Sequence, residues 1–117
     1  MDDSEIDDWV SQMRRGLLEL AVLALLDGEA NYGYEIVNRL GAVSQLASGE
    51  GTVYPLLRRL RREGLLEAFW QESASGPPRQ YYRLTAAGRS TLNRMRRQWR
   101  ELAQGVGHLL DSEGSRR

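Results

Sequence analysis

The stretch Gly51-Thr52-Val53-Tyr54-Pro55-Leu56-Leu57-Arg58-Arg59-Leu60-Arg61-Arg62 decides how this chain is read. Val53, Leu56, Leu57 and Leu60 fall at i, i+3, i+4 and i+7, which is one face of an α-helix. The remaining positions carry Thr52, Tyr54, Arg58, Arg59, Arg61 and Arg62. One side can pack against a core while the other meets phosphates and base edges of duplex DNA. Pro55 is expected near the first turn, because deeper in the helix it would remove a hydrogen bond. Gly64 ends the helix.

Upstream, Ile6, Val10, Met13, Leu17, Leu20 and Ala24 form the seam of a first helix that Asp27-Gly28 closes. Asn31 is read as the cap of a second helix through Leu40, with Ile36, Val37 and Leu40 inward and Gly41 at its end. Residues 42–50 are small and polar and form a connection. Downstream the period changes to two: Leu66, Ala68 and Trp70 alternate with Glu67, Phe69 and Gln71. After Ser73-Ala74-Ser75-Gly76-Pro77-Pro78 the run Gln80-Tyr81-Tyr82-Arg83-Leu84 returns, which predicts a β-hairpin. Thr85 caps a last helix in which Leu92, Met95, Trp99, Leu102, Val106 and Leu109 repeat at alternating three- and four-residue spacings.

Three helices followed by a hairpin is the winged helix-turn-helix plan, in which one helix enters the major groove and the hairpin touches the flanking backbone. The expected fold is mainly α with a small β-hairpin, flanked by long N- and C-terminal dimerisation helices. Residues 1–13 form an acidic extension and the start of the first helix, and 14–84 the DNA-binding domain. Residues 85–110 form the C-terminal dimerisation helix, and 111–117 a disordered tail.

Net charge is zero over 117 residues, but it is unevenly spread. Residues 1–8 hold five acids and no base, whereas residues 51–100 hold eleven arginines against three acids, a local net charge of +8. That is the footprint of a nucleic-acid partner on a balanced protein. Each arginine taken alone reads equally well as a solvated or ion-paired surface residue, and Tyr54 as a partly packed one. Thr52, Tyr54 and Arg58, toward the helix N-terminus, are the candidates for base readout; Arg61, Arg62 and the wing's Arg79 are candidates for phosphate contact.

Other classes find little support. The chain has no cysteine, a single histidine (His108) and no Gly-rich phosphate loop or metal-ligand spacing, so no enzyme, cofactor or metal site is implied. The absence of cysteine and of a basic, cleavable leader suits a reducing cytoplasm, and the apolar run 17–26 is about half of the ~20 residues a membrane span needs. RNA binding would call for an exposed aromatic sheet platform, which the sequence does not suggest. The alternative kept open is a winged helix used only for protein–protein contact.

The stretches LLELAVLALL (17–26), YGYEI (32–36), GTVYPLLRRL (51–60), EGLL (63–66) and GPPRQYYRLTAAG (76–88) together resemble the PadR family of transcriptional regulators, in its short class with a single C-terminal helix. The resemblance implies a homodimeric repressor released from DNA by a small molecule. A dimer that places two such helices in successive major grooves calls for an inverted-repeat operator, and Tyr34 is counted in the DNA-facing set. It also implies that the C-terminal helix packs beside the partner's first helix, through Leu92, Met95, Trp99, Leu102, Val106 and Leu109. Trp9, Met13, Met95 and Trp99 would then meet at the interface. There they either pack simply or line a gap for a planar effector, as a tryptophan on this helix does in some short members of the family.

Overall fold

The computed structural model describes residues 1–43, 46 and 48–115, the last four by backbone alone. Helix α1 spans Asp3–Leu25 and opens with a capping box: the Asp2 side chain accepts from the Glu5 N–H at 2.9 Å, and the Glu5 carboxylate accepts from the Asp2 N–H at 3.3 Å. Strand β1 is Asn31–Tyr32, α2 Gly33–Gly41, α3 Glu50–Arg62, β2 Leu66–Ser73, β3 Gly76–Leu84 and α4 Ala86–Ser115. Residues 44, 45 and 47 of the expected connection, and 116 and 117 of the expected tail, lie outside the described residues.

One core joins every element except β1. Leu18, Val22, Leu23 and Leu26 from α1 and its end pack with Ile36 and Leu40 of α2, Val53, Leu57 and Leu60 of α3, Leu66, Tyr82 and Leu84 of the sheet, and Leu92 of α4. The buried residues of α1 all come from its second half, so its first half leaves Ile6, Trp9 and Met13 in solvent. Gly64, at φ +79°, turns the chain from α3 into β2 through the left-handed region. Thr85 ties that turn to α4. Its hydroxyl donates to the Gly64 carbonyl at 2.6 Å and accepts from the Gly88 N–H at 3.0 Å, and so caps the helix.

Four expectations change. The sheet has three antiparallel strands in the order β1-β3-β2, because Asn31 and Tyr32 pair with Tyr82 and Tyr81. Asn31 therefore does not cap α2. The pairing draws it into extended backbone, its side chain accepts from the neighbouring Tyr32 N–H at 3.0 Å, and Tyr32 becomes the N-cap without a side-chain hydrogen bond. Pro55 sits in the second turn of α3; the carbonyl it would leave without a helical donor belongs to exposed Gly51, where water can serve instead. Helix α4 continues to Ser115, past the end expected at residue 110.

Candidate nucleic-acid interface

Helix α3 presents the two faces expected of it. Val53, Leu57 and Leu60 are fully buried, while Thr52, Arg58, Arg61 and Arg62 are exposed. Beside its outer face, the start of α2 and the wing close a recess of about 500 Å³. Helix α3 contributes Tyr54, Arg58 and Arg61; the β1–α2 corner contributes Tyr32, Gly33 and Tyr34; and β3 contributes Arg79, Gln80 and Tyr82. Five of the seven anticipated DNA-facing residues thus share one concavity. Thr52 and Arg62 are exposed at opposite ends of α3 and do not line it.

The recess is electropositive and rich in hydroxyl donors. Among the described residues, neither Arg58 nor Arg61 has a carboxylate within ion-pair distance. Burial raises the Tyr82 phenol above its ordinary value, and the positive charges of Arg61 and Arg58 act against that rise. Tyr54 is raised too, first by burial, then by the Glu50 carboxylate and by Tyr82 and Tyr34. Both phenols therefore stay protonated at neutral pH and can donate to a phosphate or a base acceptor.

Arg59 behaves differently from its neighbours. It bonds to Glu19 of α1 and, at 3.0 Å, to Glu63 one turn on, and these bonds hold its guanidinium in the charged form. It braces α3 against α1. Arg83 pairs with Glu67 across the hairpin, and Arg96 joins Asp27 at 3.2 Å. The arginines of residues 51–100 thus differ in role: Arg59, Arg83 and Arg96 are held in ion pairs, whereas Arg58, Arg61 and Arg79 line the recess.

The sequence reading missed Tyr32, Gly33, Gln80 and Tyr82. The alternation of Gln80 with Tyr81 hinted that Gln80 and Tyr82 share a face, but which face meets α3 depends on strand register. In that register Trp70 opposes Gln80, so it stands on the helix-facing side of the wing, yet it is 68% exposed because the core ends before it. On the other side of the sheet, Tyr32, Tyr81 and Phe69 form a half-buried aromatic row.

A second concavity, about 350 Å³ and largely apolar, lies between α1 and α4. Gly16, Leu17 and Leu20 form one wall, and Met95, Trp99 and Leu102 the other. Of the four residues considered for an effector, Met95 and Trp99 are here; Trp9 and Met13 are exposed outside the groove. Leu92, expected at a dimer seam, is fully buried in the core of its own chain and offers nothing to a second one. Among the described residues there is no cluster of His, Cys, Asp or Glu suited to a metal ion, and no helix long and apolar enough to cross a membrane.

Residues 22–94 match the family described as Transcriptional regulator PadR-like family. An uncharacterised protein of Lysinibacillus sphaericus is 32% identical over 105 residues, covering 86% of this chain and 94% of that one. The crystal structure of a PadR family transcriptional regulator from Eggerthella lenta superimposes with a TM-score of 0.79 at 41% identity, covering 92% of this chain and 94% of that one. Bacillus subtilis PadR, solved in complex with operator DNA, gives a TM-score of 0.61 at 25% identity over 67% of this chain and 45% of its own.

Proposed function

We propose that this chain, which belongs to the PadR-like family of transcriptional regulators, acts as a dimeric, sequence-specific DNA-binding repressor whose hold on its operator is set by a small molecule. The observation that carries the reading is the convergence of Arg58, Arg61 and Arg79 on one recess with the phenols of Tyr34 and Tyr54. Arg58, Tyr54 and Thr52 read bases in the major groove, Tyr34 meets DNA from α2, and Arg61, Arg62 and Arg79 hold phosphates. The similarity to Bacillus subtilis PadR, solved on its operator, supports this assignment.

A dimer places two copies of α3 about 34 Å apart in successive major grooves, so the operator is an inverted repeat. The effector, a planar apolar molecule, takes the groove walled by Met95 and Trp99, where it biases the angle between subunits and so the spacing of the reading helices.

The test is fluorescence anisotropy on duplex DNA from upstream of the protein's own gene, titrated with salt. Specific binding should exceed binding to scrambled duplex by at least about 10³-fold, with log K falling linearly in log salt. Equal affinity for both duplexes would sink the regulator reading, and no affinity at low salt would favour a protein–protein module. Once operator binding is in hand, Trp99→Ala should abolish the response to effector while keeping operator affinity within about tenfold.

A further inference from the structure

We propose that Tyr32 is the positioning residue for the wing arginine, Arg79; the proposal rests on the DNA-binding reading above and deepens it. Arg79 follows the exposed Pro77-Pro78 pair on β3, is itself exposed, and has no carboxylate partner among the described residues. A side chain so long and so exposed would ordinarily sample many rotamers and lose that freedom on gripping an anion. Here its guanidinium carbon lies 4.5 Å from the centre of the Tyr32 ring, well inside cation–π range.

Tyr32 is held in turn. Strand β1 sets it opposite Tyr81, with ring centroids 5.4 Å apart. Tyr81 stacks on Phe69 at 5.7 Å and 24°, and Arg83 closes the row 4.5 Å over Phe69. The stack Arg79–Tyr32–Tyr81–Phe69–Arg83 therefore crosses all three strands with a guanidinium at each end. The two ends are not equivalent. Arg83 is paired with Glu67, whereas Arg79 keeps its charge unpaired and lines the recess beside Arg58 and Arg61.

Tyr32 is also the N-cap of α2, so its backbone is fixed by helix and sheet together. The two-residue strand thus couples the wing cation to the helix that frames the recess. Arg79 is oriented in the free protein, before any phosphate arrives.

The experiment uses the full-length protein and the operator duplex, with Arg79→Ala, Tyr32→Phe, Tyr32→Leu and the Arg79→Ala/Tyr32→Leu double variant. Tyr32→Leu should weaken operator binding by about fivefold, the worth of one partly desolvated cation–π contact, whereas Tyr32→Phe, which keeps the ring face, stays within about twofold of wild type. In the Arg79→Ala background, Tyr32→Leu should add less than about a twofold loss, since the two changes act through one contact. A full additive loss there, or wild-type affinity in Tyr32→Leu, overturns the proposal.

Two further readouts separate its failure from failure of the interface reading. Relaxation of the Arg79 Nε–H without DNA should report an ordered side chain in wild type and a mobile one in Tyr32→Leu; an unchanged order parameter overturns the proposal directly. Wild-type operator affinity in Arg79→Ala removes the interface role of the wing arginine, and the proposal with it. Should Tyr32→Leu fail to fold, phenylalanines of increasing fluorination at position 32 weaken the ring face at nearly constant shape. Operator affinity should then fall stepwise with fluorine number, and a flat series overturns the proposal.

Discussion

A Cβ added at Gly33 would stand 2.4 Å from Cε1 of Tyr54 and 3.3 Å from its hydroxyl oxygen, so the first turn of α2 and the outer face of α3 touch at a point where only hydrogen fits. The contact aims the Tyr54 ring across the recess. Gly33→Ala should push the ring aside, since a ring can rotate more readily than two helices can part. The expected result is a loss of operator affinity of about 1–3 kcal/mol, the range for a lost base contact. Melting should remain cooperative, because Tyr54 is only half-buried. Isothermal titration of Gly33→Ala beside Tyr54→Phe checks this, and unchanged affinity in both would remove Tyr54 from the interface.

Gly88 is a harder constraint. A Cβ there would lie 2.0 Å from the carbonyl oxygen of Leu65, a backbone atom already bonded to the Thr85 N–H. Backbone on both sides cannot give way as a side chain can. Gly88→Ala should therefore cost about 2–3 kcal/mol by overpacking. Gly105→Ala, where nothing lies within 4 Å, should instead gain about 0.5–1 kcal/mol from helix propensity. Urea denaturation of the two variants should move in opposite directions, and shifts of the same sign would mean that the turn around Thr85 is looser than described.

Arg59 and Arg61 are two residues apart and should answer to different measurements. The bonds of Arg59 to Glu19 and Glu63 link α3 to α1, but the Arg59 side chain is 39% exposed, so Arg59→Ala should cost no more than about 1 kcal/mol of stability. The salt slope of DNA binding should be untouched by it. Arg61→Ala should leave stability alone and flatten the slope of log K against log salt by about one unit per half-site. A changed slope in Arg59→Ala would mean that the ion pair opens on DNA.

Much of this was legible in the sequence, and the gaps have physical reasons. The amphipathic period of α3 showed which residues face outward, because helix geometry is local. It could not show that Arg59 leaves that face, since Glu19 is 40 residues away and comes near only in the folded chain. The hairpin was visible from its alternation. Strand β1 was not, because two residues carry no period and Asn31 has the chemistry of a cap. The recess needed the register that sets Tyr32 opposite Tyr81, and register is a long-range property. The stripe on α4 was plain, but a heptad spacing does not say whether a residue is covered by its own chain, as Leu92 is, or left open, as Leu102 and Leu109 are.

That difference along one stripe gives the last prediction. Beyond Met95 the seam of α4 leaves Trp99, Leu102, Val106 and Leu109 between 45% and 73% exposed, and the first half of α1 leaves Ile6, Trp9 and Met13 between 43% and 52%. Two apolar stripes of this length are more than a lone small domain usually shows to water. Their flanks are of opposite charge: Asp2, Asp3, Glu5, Asp7 and Asp8 on or beside the start of α1, and Arg94, Arg97 and Arg100 on α4. A second copy that lays its α1 along this α4 covers both stripes and matches the charges. Leu102→Glu should then produce folded monomers in sedimentation at low micromolar concentration, with operator affinity lost because one half-site alone remains in reach. Leu92→Ala should do the converse: by opening a cavity in the subunit core it should lower stability by about 2–5 kcal/mol, yet sediment as a dimer below its melting temperature. A dimeric Leu102→Glu would place the interface elsewhere. A monomeric but stable Leu92→Ala would mean that Leu92 serves the seam between subunits more than the core, and that the single chain holds its fold alone.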